Sequence, residues 1–194
     1  MRLNILLVDD HPMTVDSYVN LLSDIESTIP IFTICNNCND AYKKIVLAKN
    51  TKNEIHLAIV DVSLPPCPIN RISNGIDLAS TIRTFLPNTK IVILTMHSEP
   101  LTIVKIVKKI NPEGLISKND INYKDFPEVV KNILNGNHYF SKTILESQRE
   151  LLKINVNWDI HDHKILTLLA EGVKNIDLPK QIPLSMSKNK KRNE

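Results

Sequence analysis

Three apolar runs in this chain each end in an oxygen-bearing residue. Leu3-Asn4-Ile5-Leu6-Leu7-Val8 runs into Asp9 and Asp10, Ile55 to Val60 delivers Asp61, and Ile91-Val92-Ile93-Leu94 delivers Thr95. Apolar runs this continuous read as strands covered on both faces, the environment of a parallel sheet. Neighbouring parallel strands end side by side, so the three runs gather three carboxylates and a hydroxyl at one end of a sheet. That set suits a hard divalent cation and a phosphoryl group. Asp9 and Asp10 alone read equally well as a turn or helix cap. With Asp61 beside them, however, three clustered carboxylates would repel one another by several kcal/mol without a cation.

Helix-period segments separate the strands. Val15, Tyr18, Val19 and Leu22 fall at i, i+3, i+4 and i+7 behind Pro12, which a helix start tolerates. Further along, the pattern predicts a strand at 31–34, helices at 41–48 and 75–85, a helix at 101–110, a short strand at 114–117 and a helix at 126–134. Five βα units predict an α/β fold, a doubly wound five-stranded parallel sheet of flavodoxin-like order whose ligand site lies beyond the strand carboxyl ends. Residues 1–136 form this domain, 137–157 read as a connection with helical character at 144–152, and 158–194 form a small all-α domain. The stretch Leu64 to Asn74, with three prolines and no usable period, must be a loop directly after Asp61. Lys118 places a positive charge at the end of the fifth strand, positioned to pair with Asp61 or with a phosphoryl group on it.

No apolar run approaches the roughly 18 residues a membrane span needs, and no export signal opens the chain, which predicts a cytoplasmic protein with no membrane partner. The three cysteines, Cys35, Cys38 and Cys67, are too few and too odd in number for a disulfide framework. The spacing of Cys35 and Cys38 resembles half a metal or redox site, but with no second pair it reads as a loop with two small apolar side chains. Charge is distributed unevenly: six basic and two acidic residues between Lys174 and Glu194 give a local +4 in a chain of net +3. A basic end on a near-neutral body points to a polyanion.

Asp9-Asp10-His11-Pro12, Asp61 with Pro65 four positions later, Thr95 in Ile-Leu-Thr-Met-His-Ser-Glu-Pro, and Lys118 stand in order on the expected strands. In these positions the first 136 residues resemble the receiver domain of a two-component response regulator. The resemblance implies that a sensor histidine kinase phosphorylates Asp61. It further implies that Asp10, Asp61 and the Ser63 backbone carbonyl ligate Mg²⁺, with Asp9 helping through water, and that Lys118 and the Thr95 hydroxyl contact the phosphoryl oxygens. Such a domain catalyses only its own phosphorylation and hydrolysis and is not an enzyme in the ordinary sense. Two positions depart from the family pattern. Leu115 stands where an aromatic partner of the threonine is usual, and the glycine that ends the loop after Asp61 comes late, at Gly75.

The C-terminal residues resemble the start of a LuxR-type helix-turn-helix: Ile165 to Gly172, Asn175 to Pro179, then Pro183-Leu184-Ser185-Met186-Ser187. The resemblance implies DNA contacts from Ser187, Lys188, Asn189, Lys190, Lys191 and Arg192, and a further helix beyond Glu194. The expected function is a phosphorylation-controlled transcription regulator that dimerises on phosphorylation. Two other readings compete with it: a receiver acting as an interaction switch or phosphoryl sink, and a Mg²⁺-dependent phosphohydrolase with Asp61 as nucleophile. A phosphohydrolase would usually want Asp-x-Asp on one strand, an arrangement this chain lacks.

Overall fold

The computed structural model describes residues 2–153 other than Glu26, Ser27, Lys52 and Tyr123. The chain divides into two units, Met1–Lys153 and Ile154–Glu194, so the helix-turn-helix expected at 158–194 and its six DNA contacts lie outside the described residues.

The first unit alternates strands β1 (Arg2–Val8), β2 (Ile29–Cys35), β3 (Leu57–Asp61), β4 (Lys90–Thr95) and β5 (Gly114–Ser117) with helices. These helices are α1 (Pro12–Leu22), α2 (Cys38–Thr51), α3 (Gly75–Phe85), α4 (Pro100–Ile110) and α5 (Phe126–Leu134), followed by β6 (Tyr139–Phe140) and α6 (Lys142–Lys153). All pairings between neighbouring strands are parallel, in the order β2-β1-β3-β4-β5-β6. The five-strand expectation is corrected to six. Residues 139–153, read as part of a connection, add the sixth strand and a helix to the first unit. A two-residue strand is too short to show a period.

Alternation along β1 sends Leu3, Ile5 and Leu7 to one face and Leu6 and Val8 to the other. The first face packs on α1 and α5 through Val15, Tyr18, Leu22, Phe126, Val130 and Ile133, with the Tyr18 and Phe126 rings 5.4 Å apart. The second packs on α2, α3 and α4 through Ile45, Leu78, Ile82, Ile103 and Ile106, and on α6 through Ile144. Each such side chain contributes about 1.5–3 kcal/mol of transfer free energy. With helices on both faces, every residue of β3 is buried, so Asp61 comes to the sheet's carboxyl end from the middle of the core.

The long loop after β3 is an ordered structure. Cys67 and Ile72 pair as an isolated antiparallel bridge around a 3-10 turn, Pro68–Asn70, and Arg71 closes that turn at φ 55°. Leu64, Cys67 and Ile72 are buried beneath it. Asn74 then caps α3, its Oδ1 accepting from the Ile76 and Asp77 amides. At Gly75 the chain returns against the strand it left: a Cβ there would lie 1.8 Å from the Asp61 carbonyl oxygen. Only glycine fits this approach.

Candidate functional site: an acidic pocket at the strand ends

β1, β3 and β5 deliver the pocket's charges. Asp9 and Asp61 are buried, at 3% and 2% exposure, and Asp10 is half-buried. Lys118, the residue after β5, reaches back between them, its Nζ 2.8 Å from Asp9 Oδ2 and 3.1 Å from Asp61 Oδ2. The expected pairing of Lys118 with Asp61 is present, and Asp9 shares the lysine. One ammonium thus serves two buried carboxylates, and two acceptor atoms are left over: Asp10 Oδ1 and Asp61 Oδ1 are buried without any hydrogen-bond partner. Buried carboxylate oxygens cost several kcal/mol when nothing compensates them. Two of them in one pocket, opposite a lysine that is already occupied, suit a divalent cation.

Burial pushes the Asp61 carboxyl above the usual carboxylate range. Asp9 pushes it the same way, while Lys118 and the Ser63 backbone amide pull against the rise. Burial acts on Lys118 in the opposite sense, but its hydrogen bonds and charge interactions with Asp9 and Asp61 outweigh that effect and hold its pKa above the ordinary lysine value. Lys118 therefore stays charged across the physiological range.

His11 joins the pocket unannounced by any spacing rule. Its backbone amide donates to Asp9 Oδ1 at 2.9 Å and its Nδ1 stands 3.2 Å from the same oxygen. Nδ1 is also 3.0 Å from Asp10 Oδ1, outside hydrogen-bonding geometry. Ligand atoms of Asp9, Asp10, His11 and Asp61 all lie within 4.8 Å of one another, and among the described residues no other group of this kind could hold a metal ion. The cysteines do not form one. Burial pushes the Cys35 and Cys38 thiols up to about 11, as expected of small apolar side chains.

Thr95 ends β4 beside Asp61's strand, in register with Ser117, and is fully buried. Its Oγ1 accepts from the His97 amide at 2.9 Å, which fixes the hydroxyl and leaves its proton to donate. Ser63 is exposed at the start of the loop, two residues past Asp61. Leu115 is fully buried in the α2–α3–α4 core.

A doubly wound sheet with paired acids, a central aspartate, a threonine and a lysine at its strand ends defines a class of signalling domain, and comparison with known proteins gives its family. The family model of the response regulator receiver domain matches residues 5–131; the chain belongs to this family. The transcriptional regulatory protein RcsB of Salmonella typhi is 25% identical over 192 residues, spanning 95% of this chain and 82% of that protein. The uncharacterized transcriptional regulatory protein YxjL of Bacillus subtilis is 34% identical over 97 residues, 48% of this chain and 38% of that protein. The solved RcsB–DNA complex shares the fold, with a TM-score of 0.71 at 22% identity over 95% of this chain and 85% of that one. Among the described residues no helix is long and apolar enough to cross a membrane.

Proposed function

We propose that this chain is a phosphorylation-controlled transcription regulator, with Asp61 as phosphoacceptor from a histidine kinase and a DNA-binding helix-turn-helix in residues 158–194. The observation that carries the reading is the pair of unpartnered oxygens, Asp10 Oδ1 and Asp61 Oδ1, facing a pocket whose one cation, Lys118, is shared between Asp9 and Asp61. Asp10, Asp61 and the Ser63 carbonyl would hold Mg²⁺, with Asp9 assisting through water; bound there, the ion screens the negative charge that gathers around phosphorus. An Asp61 oxygen attacks the phosphorus of phosphohistidine, the P–N bond breaks, and its electron pair leaves with the imidazole. Lys118 exchanges a carboxylate oxygen for a phosphoryl oxygen, and the Thr95 hydroxyl donates to another. The pocket does this only to its own aspartate, which makes the chain a switch.

On the output side, the support is the local +4 of residues 174–194 and the similarity to RcsB, whose complex with DNA is solved. Lys188, Lys190, Lys191 and Arg192 would make mainly phosphate contacts, with Ser187, Lys188 and Asn189 placed to reach bases, and phosphorylation would pair two chains and raise affinity by avidity. The test is binding of phosphorylated and unphosphorylated full chain to duplex DNA across a salt series. The expected result is weak, steeply salt-dependent binding that tightens on phosphorylation; binding that ignores phosphorylation would contradict the reading.

A further inference from the structure

The start of α6 is fastened to the end of β5 by side chains, immediately beside the lysine of the acidic pocket. Lys118 opens a 3-10 turn that Asp120 closes. On one side of that turn the Ser117 amide donates to Ser141 Oγ at 3.0 Å, in a fully buried contact. On the other side Ser141 Oγ donates to Asp120 Oδ2 at 2.6 Å, so a single hydroxyl spans the residues flanking Lys118 and the end of its turn. Asp120 also accepts from the Thr143 amide and the Thr143 hydroxyl, both at 2.8 Å. Burial would raise the Asp120 carboxyl, but the Ser141 and Thr143 bonds outweigh it and hold the group below the usual carboxylate range. The fastening is thus charge-assisted at neutral pH. α6 itself docks on α4 and β5 and buries Ile144 completely.

We propose that Asp120, Ser141 and Thr143 form a clasp that positions Lys118 and couples the chemical state of Asp61 to the docking of α6, the helix that leads into residue 154. The inference rests on Asp61 being the phosphoacceptor. A turn of three residues rises only about 6 Å, so a shift at Lys118 has little slack before it reaches Asp120. Phosphorylation moves negative charge outward from the Asp61 carboxylate to the phosphoryl oxygens, and the Lys118 ammonium follows it. Ser117 and Asp120 carry that displacement to Ser141. The fully buried Leu115 offers no ring to swing between two positions, which leaves the clasp as a direct mechanical path out of the pocket. Coupling is reciprocal, so loosening the clasp must also alter the pocket.

Hydrogen exchange of the full chain over residues 139–150, with and without phosphoramidate and Mg²⁺, measures one side of the coupling; the initial rate of Asp61 labelling measures the other. In the wild type, labelling should change exchange at the α6 N-terminus about fivefold, within the usual range of coupling between sites. Asp120→Asn and Ser141→Ala should erase that response and slow labelling by about fivefold as well, with Mg²⁺ affinity kept within about twofold. If either variant loses its fold by circular dichroism, Thr143→Val, which keeps the shape and removes one donor, carries the same comparison. Wild-type labelling without any change at α6, or clasp variants that label at the wild-type rate, would overturn the proposal. A wild type that takes no phosphate on Asp61 would overturn the functional reading and the clasp with it.

Discussion

Asp61 sits where a charge is costly, at 2% exposure with Asp9 on the same lysine. Its raised pKa means that the folded state binds a proton more readily than the unfolded chain. The resulting penalty is absent below the ordinary carboxylate pKa and grows as pH rises through the folded one. Asp61→Asn removes it while Lys118 keeps Asp9, so the variant should melt about 3 °C higher at pH 7, with the gap closing toward pH 3 in thermal scans. Lys118→Ala is the opposite case, because two buried carboxylates lose their cation. The expected cost is about 3 kcal/mol in urea unfolding, partly recovered by Mg²⁺. Gly75→Ala should cost about as much, since its Cβ would meet strand backbone that cannot move without displacing Asp61. Asp9, Asp10, Asp61, Thr95 and Lys118 were legible because each ends an apolar run. The placement of the His11 ring against the acids and the tight fit of Gly75 were not, since both depend on where a turn brings the chain back.

Between elements, Arg83 at the end of α3 makes a polar tie of several bonds away from the pocket. Its guanidinium donates to the carbonyls of Ile110, Thr89 and Asn111 and pairs with Glu113 Oε2 at 2.8 Å. That same oxygen accepts from the Ile91 amide. The hydrogen bonds to Arg83 and Ile91 overcome burial and hold the Glu113 carboxyl below its usual range. One side chain thus joins α3, the start of β4 and the turn between α4 and β5. Arg83→Ala leaves Glu113 half-buried and unpaired, and should cost about 3 kcal/mol in urea unfolding, with phosphorylation of Asp61 intact. None of this could be read from a lone arginine in a helix. α3 and β5 themselves were legible to the residue, because Asn74-Gly75 and Gly114 mark their starts. β6 and the first turn of α6 were not. β6 is held by backbone pairing with β5 and the first turn of α6 by Asp120, both some twenty residues upstream, and sequence periodicity does not register partners at that distance.

Across the whole molecule, the order of strands places every charge of the pocket at one end of the sheet, while in the sequence a local +4 falls in residues 174–194. Phosphorylation of a single buried aspartate is therefore the proposed event on which any output depends. The direct measurement is intact mass and peptide mapping of the full chain after incubation with phosphoramidate, with and without Mg²⁺. The expected result is one added phosphate, dependent on Mg²⁺, labile to hydroxylamine, mapped to the peptide holding Asp61 and absent from Asp61→Asn. Labelling of Asp61→Asn at the wild-type rate, or a stable phosphate on any other residue, would contradict it.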